Sequence, residues 1–168
     1  MMRLRVALWL TAAVVAVDQV TKAWIVMAYP LGTELEMVPG LFRLVHARNR
    51  GIAFGILGAS GPAVQLALLI VVAGIVAFVA WQLARAGGDG FAGVGLALVL
   101  GGAIGNIIDR VLRGEVVDFL DFYLVTGGRE HHWPAFNVAD SAISIGACCV
   151  ILAEILTQLR EKRASRPR

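Results

Sequence analysis

Long apolar stretches separated by polar segments dominate the pattern of this chain. Four stretches have the roughly 20 residues that an α-helix needs to cross ~30 Å of hydrocarbon. They lie near residues 4–29, 63–84, 91–112 and 139–159. The pattern therefore predicts an all-α integral membrane protein with four transmembrane helices, forming a single membrane domain over residues 1–168.

The polar segments 30–62 and 113–138 are too long to be simple turns. Residues 41–46 have the composition of a β-strand, and Asn49-Arg50-Gly51 is typical of a turn. A small sheet at the membrane surface and an irregular connector both fit the first segment. Residues 115–123 alternate acidic and apolar side chains, which predicts a short extended piece at the interface.

The composition agrees with a membrane protein, since 58% of residues are hydrophobic and the mean hydropathy is +0.76. The net charge of +3 alone would also fit a nucleic-acid-binding protein. However, eight Lys and Arg lie in the two tails and the turn at Arg85, against five in the other loops. The positive-inside rule then predicts cytoplasmic termini, and the basic tail favours membrane lipids over nucleic acid as a partner.

Two aspartates stand at the predicted membrane boundary, where a carboxylate is costly unless it is paired or used. Asp118 follows the third predicted span, and Asp140 opens the fourth. If they converge, they can form an acid–base pair that activates water. A structural interpretation stays open for Asp140, because Asn137 is a favoured helix cap and an acid three residues later is typical of a capping box.

Hydrolysis of a peptide bond by two carboxylates needs one ionised and one protonated group. Asp140, near a helix N-terminus, is expected to favour the ionised form, and Asp118, between Val117 and Phe119, the neutral form. Metalloprotease and serine-hydrolase motifs are absent from the sequence, and His131-His132 lacks metal-ligand spacing, so these histidines are interpreted as solvated. We expect neither a metal nor a cofactor.

Other polar residues lie inside or beside the predicted spans. Asp18 and Lys22 are four residues apart, so they share a helix face and either neutralise each other or orient groups at the outer end of the bundle. Near the outer end of the third span, Asp109 and Arg110 either pair within the bundle, or Arg110 holds a loop or a carboxylate. The glycines of this span predict a central helix, because small residues let helices approach closely.

Five ordered sequence blocks carry a family resemblance: DQVTK at 18–22, NRGIAFG at 49–55, GGAIGNIIDR at 101–110, VVDF at 116–119 and FNVADS at 136–141. Together with four spans they resemble bacterial lipoprotein signal peptidase, also called signal peptidase II. The resemblance implies an inner-membrane aspartyl endopeptidase with a small extracytoplasmic β-cradle. Such enzymes cut the signal peptide from diacylglyceryl-modified prolipoproteins just before the lipidated cysteine.

The resemblance also implies roles for individual residues. Asp118 and Asp140 match the catalytic aspartates of the family, near the extracytoplasmic face. The substrate-binding or supporting positions that it implies are Asp18, Lys22, Asn49, Gly51, Asn106, Arg110 and Asn137. Globomycin-type peptides are expected to compete with the substrate, and one four-helix unit is expected to act as a monomer.

Two other classes of function stay open on the residues alone. A small channel or transporter would use the intramembrane charges as an ion path, although these charges cluster toward one side. A non-catalytic assembly factor for lipidated proteins would keep the groove and use the aspartates structurally.

Overall fold

The computed structural model describes residues 2–51, 61–86 and 90–164. In this part of the chain, four α-helices and four β-strands follow the order α1 Met2–Ala28, β1 Glu34–Val38, β2 Phe42–Asn49, α2 Pro62–Ala86, α3 Gly90–Arg113, β3 Val116–Thr126, β4 Arg129–His132 and α4 Val138–Ala164. All four predicted helices are present. Their ends differ from the prediction by one or two residues, except that α4 continues five residues further.

Three of the described helices are long and apolar enough to cross a membrane: Leu4–Ala28, Gly90–Arg113 and Val138–Arg163. The remaining predicted span forms α2, in which a shorter apolar stretch covers Leu69–Arg85. Many large side chains on the helices face outward, such as Trp9, which is 76% exposed. This distribution is typical of helices surrounded by lipid rather than water.

Helix α3 is the central helix, as its glycines predict, and it packs against α1, α2 and α4. Gly95 faces Gly146 of α4 so closely that a Cβ at either position would lie within 2.7 Å of the other's carbonyl oxygen. Gly105 faces the carboxylate of Asp18 in α1. Glycine thus lets α3 approach the backbone of α4 at Gly95, and it leaves room for the Asp18 side chain at Gly105.

The strands form one antiparallel arrangement in the order β1-β2-β3-β4. A sheet is therefore present in the first polar segment, and the alternative of an irregular connector is wrong for residues 34–49. Ile25 near the end of α1 packs against Val117 and Phe119 of β3, next to Val138 at the start of α4. The sheet thus lies at the end of the bundle where α1 and α3 finish and α4 begins.

The second polar segment contains more strand than the sequence indicates. Strand β3 includes residues 116–123 of the predicted extended piece, whereas β4 lies where the sequence predicts no strand. His132 pairs with Tyr123 in register, stacks on its ring and contacts the Asp121 carboxylate at 3.0 Å through Nδ1. The hydrogen bond with Asp121 raises the pKa of His132. Both histidines are exposed, as predicted, but they lie in a strand and His132 has carboxylate partners.

Candidate active site

The two candidate catalytic aspartates reach one cleft from different elements. Asp118 is the third residue of β3 and is 3% exposed, and Asp140 lies in the first turn of α4. Both line a cleft of about 810 Å³ bounded by α2, α3, α4 and residues 133–136. Apolar side chains such as Ile75 and Ile143 form much of its wall. The cleft therefore combines a polar end that carries carboxylates with walls suited to hydrocarbon.

Two side-chain amides hold the two carboxylates. Asn137 Nδ2 donates to Asp118 Oδ1 at 2.7 Å, and Asn106 Nδ2 donates to Asp140 Oδ1 at 2.8 Å. The amides also meet each other, since Asn137 Nδ2 lies 3.4 Å from Asn106 Oδ1. A continuous chain of hydrogen bonds therefore runs from one aspartate to the other.

Asn137 has a second role as the N-cap of α4. Its Oδ1 accepts from the backbone N–H of Asp140 at 2.9 Å, and its carbonyl accepts from the N–H of Ser141 at 3.2 Å. The predicted cap is thus confirmed. Among the described contacts, the Asp140 carboxylate accepts from Asn106, so it is turned toward α3 and the cleft.

A buried charge cluster lies behind the cleft. The Lys22 ammonium contacts Asp18 Oδ2 at 2.9 Å and Asp109 Oδ2 at 3.0 Å, and it donates to Asn106 Oδ1 at 3.0 Å. The side chains of Lys22 and both aspartates are 0% exposed. Arg113 also pairs with Asp109. Buried charges need partners of this kind, because an unpaired charge away from water is costly.

This cluster also fixes the backbone beside each candidate catalytic residue. Asp109 Oδ2 accepts from the N–H of Val117 at 3.1 Å, and Asp18 Oδ1 accepts from the N–H of Ala139 at 2.9 Å. Val117 and Ala139 each directly precede one of the two aspartates of the cleft. Asp18 and Lys22 therefore do both things that the sequence leaves open: they neutralise each other and orient the site.

Asp109 and Arg110 do not pair with each other, so the first of the two sequence interpretations is wrong. Asp109 pairs with Lys22 and Arg113, whereas Arg110 Nη2 donates to the carbonyl of Gly51 at 2.8 Å. Successive helical residues point about 100° apart, so Asp109 turns inward and Arg110 turns toward the sheet. Arg110 thus holds a loop, as one sequence alternative proposed.

Asn49 and Gly51 complete the polar end of the cleft. Asn49 Nδ2 donates to Asp118 Oδ2 at 3.3 Å, and its Oδ1 accepts from the N–H of Gly51 at 2.9 Å. The second contact is an Asx-turn, which agrees with the turn predicted at this position. Residues 52–55 of the corresponding sequence block lie outside the described residues.

The electrostatic surroundings of Asp118 favour its protonated form. Burial raises its pKa to about 7, and the nearby charge of Asp140 acts in the same direction. The hydrogen bonds from Asn49 and Asn137 oppose this shift without cancelling it. At neutral pH, Asp118 is therefore able to hold a proton at the edge of the cleft.

Sequence reasoning missed several contacts around this site. Gln19 Nε2 bridges Asp18 and Asp109, at 3.1 and 3.3 Å, and Arg113 reaches Asp109 from the next turn of α3. The i,i+4 spacing of Asp109 and Arg113 was a usable signal for the second contact. Within the described ranges, no group of three or more His, Cys, Asp and Glu side chains could hold a metal ion.

Known proteins resemble the chain along most of its length. A model of the family described as Signal peptidase (SPase) II matches residues 10–156. A lipoprotein signal peptidase of Syntrophotalea carbinolica is 47% identical over 151 residues, which cover 89% of this chain and 91% of the relative. One from Ralstonia nicotianae is 44% identical over 149 residues, covering 88% of this chain and 83% of the relative.

Two solved structures share the fold, and both are described as bacterial membrane enzymes studied by the in meso method. One, at 2.3 Å resolution, has a TM-score of 0.73 and 30% identity, with 97% of this chain and 93% of its own covered. The other, at 1.9 Å, has a TM-score of 0.72 and 34% identity, with 88% and 91% covered. The helices and the sheet therefore form an architecture that occurs in membrane enzymes.

Proposed function

Because the chain belongs to the signal peptidase II family, a family of membrane peptidases, we propose that it removes signal peptides from diacylglyceryl-modified prolipoproteins. We propose further that it cuts before the lipidated cysteine as an aspartyl endopeptidase, with Asp118 and Asp140 as its catalytic residues. One observation carries the mechanism. Both carboxylates line the same cleft, and the amides that hold them contact each other.

The proposed reaction begins with water between the two carboxyl groups. Asp140, ionised and facing the positive end of the α4 dipole, takes a proton from the water as it attacks the scissile carbonyl. Asp118, whose pKa near 7 lets it carry a proton, donates a hydrogen bond to the developing oxyanion. The proton that Asp140 took from water then passes to the leaving amine, and the peptide bond breaks as the carbonyl re-forms.

The supporting residues hold this pair in its reactive geometry. Asn106 and Asn137 orient the two carboxylates, and the buried Lys22 connects to the pair through Asn106. Correct orientation of reacting groups is worth several orders of magnitude in rate. Asn49, Gly51 and Arg110 lie where an extended peptide would enter from the sheet. The apolar walls of the cleft would receive the signal helix and the acyl chains.

The proposed setting is the bacterial inner membrane. All four helices would span it as one domain, with both termini in the cytoplasm and the sheet forming an extracytoplasmic cradle. The carboxylates lie at the sheet end of the bundle, which would put them near the outer interface. A globomycin-type peptide would compete for this cleft, and a monomer would contain the complete site without a cofactor.

The direct test is cleavage of a diacylglyceryl prolipoprotein by the purified protein in detergent. We expect Asp118→Asn and Asp140→Asn each to lower kcat by more than about 10³-fold, because each removes a proton-transfer group. Substrate binding should persist, since neither substitution changes the apolar walls.

Asp121→Asn is the matched control. Asp121 is a buried aspartate of the same strand, but it contacts His132 rather than the cleft, so this variant should retain activity. Normal turnover in either Asp118→Asn or Asp140→Asn would reject the catalytic pair. Binding without cleavage by the unmodified protein would favour an assembly factor for lipidated proteins.

A further inference from the structure

A second polar cluster lies on the sheet beside the cleft. Glu115 Oε1 accepts from Arg48 Nη1 at 2.7 Å, and its Oε2 accepts from Arg50 Nε at 3.1 Å. The Glu115 side chain is 14% exposed, and the hydrogen bond from Arg48 lowers its pKa. It is therefore ionised at neutral pH and binds two arginines with one carboxylate, an arrangement that we call the Glu115 clamp.

The residue between the two arginines is Asn49, which holds Asp118. Arg48 and Asn49 are neighbours in β2, so their side chains point to opposite faces of the strand. Arg50 directly follows the strand, and its contact with Glu115 brings its side chain to the same carboxylate as Arg48. In the β2–β3 register, Asn49 pairs with Val116, and Arg48 pairs with Val117. Asp118, two residues after Val116, therefore lies on the face of Asn49. Glu115, which directly precedes β3, contacts the side chains of Arg48 and Arg50.

The clamp and Arg110 together fix the short segment that carries Asn49. Arg110 binds the carbonyl of Gly51 from α3, while Glu115 holds the arginines on both sides of Asn49. Rotation of this strand end about its axis would pull the Asn49 amide away from Asp118. Holding both flanking side chains on one carboxylate opposes that rotation.

We propose that Glu115 is a positioning residue for peptide hydrolysis, which holds the Asn49 amide on Asp118 through Arg48 and Arg50. The inference rests on the proposed function, since it takes Asp118 as catalytic. The other charged groups around Asp118 are Asp140 of α4, Lys22 of α1 and Arg110 of α3. Glu115 does not hold any of these three groups; its described contacts are with Arg48 and Arg50.

The first test does not depend on activity. The Asp118 carboxyl is titrated by carbon-13 NMR in detergent, in the unmodified protein and in Glu115→Gln. Loss of a nearby negative charge would by itself lower the Asp118 pKa, whereas a loosened Asn49 hydrogen bond raises it. We expect the pKa to rise, and the same substitution in an Asn49→Ala background should no longer raise it.

The second test measures cleavage. Glu115→Gln should lower kcat about tenfold and leave KM nearly unchanged, because a misplaced carboxyl slows the chemical step. Glu130→Gln is the matched control, since Glu130 pairs with Arg43 in the same sheet far from Asn49. Arg50→Gln, at a side chain that is 69% exposed, should act in the same direction as Glu115→Gln without disturbing the fold.

The outcomes separate the two proposals. In the Asn49→Ala background, Glu115→Gln should change kcat by less than about twofold, as expected of residues that act through one contact. The positioning role would be overturned if Asn49→Ala and Glu115→Gln lowered kcat by independent factors that multiply. It would also be overturned if Glu115→Gln left the Asp118 pKa unchanged or lowered it. Absence of cleavage by the unmodified protein would instead reject the proposed function, and the titration would still decide whether Glu115 holds the Asn49 amide on Asp118.

Discussion

At the residue scale, the site consists of buried polar groups that have partners. Asp118 accepts hydrogen bonds from Asn49 and Asn137, yet burial still raises its pKa to about 7. A buried carboxylate with two amide donors is tolerated, but the protonated form costs less. The same property that suits Asp118 to proton donation should make the protein's stability depend on pH.

We expect the contribution of Asp118 to the free energy of unfolding to fall as the pH rises from about 4 to about 7. The Asp118 pKa is raised above its ordinary value of 3.8, so the folded protein keeps a proton that the unfolded chain has lost. The contribution is fully present below pH 3.8 and is lost as the pH passes the folded-state pKa. The loss is on the order of 1.4 kcal/mol per unit of pKa difference.

Thermal unfolding in detergent across this pH range, compared with Asp118→Asn, isolates the contribution of this one carboxyl. Relative to the variant, the unmodified protein should lose stability as the pH rises. Parallel curves for the two proteins would show that Asp118 titrates at an ordinary pKa.

At the scale of elements, the distance between α3 and α4 sets the distance between the cleft's two sides. Asn106 of α3 must reach Asp140 of α4, and the contact between Gly95 and Gly146 lets the two helices approach closely. A Cβ at Gly95 would meet the backbone oxygen of Gly146 at 2.7 Å and the Val150 side chain at 2.8 Å. Even one added methyl group at Gly95 should therefore disturb the packing of α3 against α4.

Gly95→Ala should destabilise the protein by about 1–3 kcal/mol, because a Cβ there would lie 2.7 Å from the carbonyl oxygen of Gly146. Gly74→Ala in α2 is the control, since a Cβ at Gly74 has nothing within 4 Å. That substitution should be neutral or stabilise the helix by up to about 1 kcal/mol. Thermal unfolding in detergent distinguishes the two, and equal effects would mean that α3 and α4 adjust freely.

At the scale of the whole molecule, polarity is distributed along the bundle axis. The sheet and the buried charge cluster lie where α1 and α3 end and α4 begins. The opposite end carries the start of α1 and the end of α4, with Lys162 and Arg163 in its last turn. This asymmetry gives the molecule one end that carries the candidate active site and one basic end.

Thiol labelling tests how these two ends face the membrane. In a Cys148→Ala, Cys149→Ala background, Arg129→Cys marks the exposed strand β4 and Glu161→Cys marks the exposed end of α4. A membrane-impermeant maleimide added to spheroplasts should label only the first, because the positive-inside rule keeps the basic end in the cytoplasm. Labelling of the second variant alone would reverse the proposed topology.

The features that the sequence predicted well depend on neighbours along the chain. Apolar runs of helical length indicated all four helices, and the i,i+4 spacing of Asp18 and Lys22 indicated their pairing. The Asn137 cap was equally local, since its contacts lie within four residues. Such patterns can be recognised in a sequence because helix geometry alone brings these groups together.

By itself, the sequence determined which segments are helical and which polar residues cost free energy at a membrane boundary. It also singled out Asp118 and Asp140 as candidate catalytic residues. Only the tertiary structure decided which of these residues contact each other. Asp18 binds the N–H of Ala139 across 121 residues, and Asn49 reaches Asp118 across 69. Contacts of this kind depend on strand register and helix packing, so the partner of Asp109 and the Glu115 clamp become visible only when the elements are assembled.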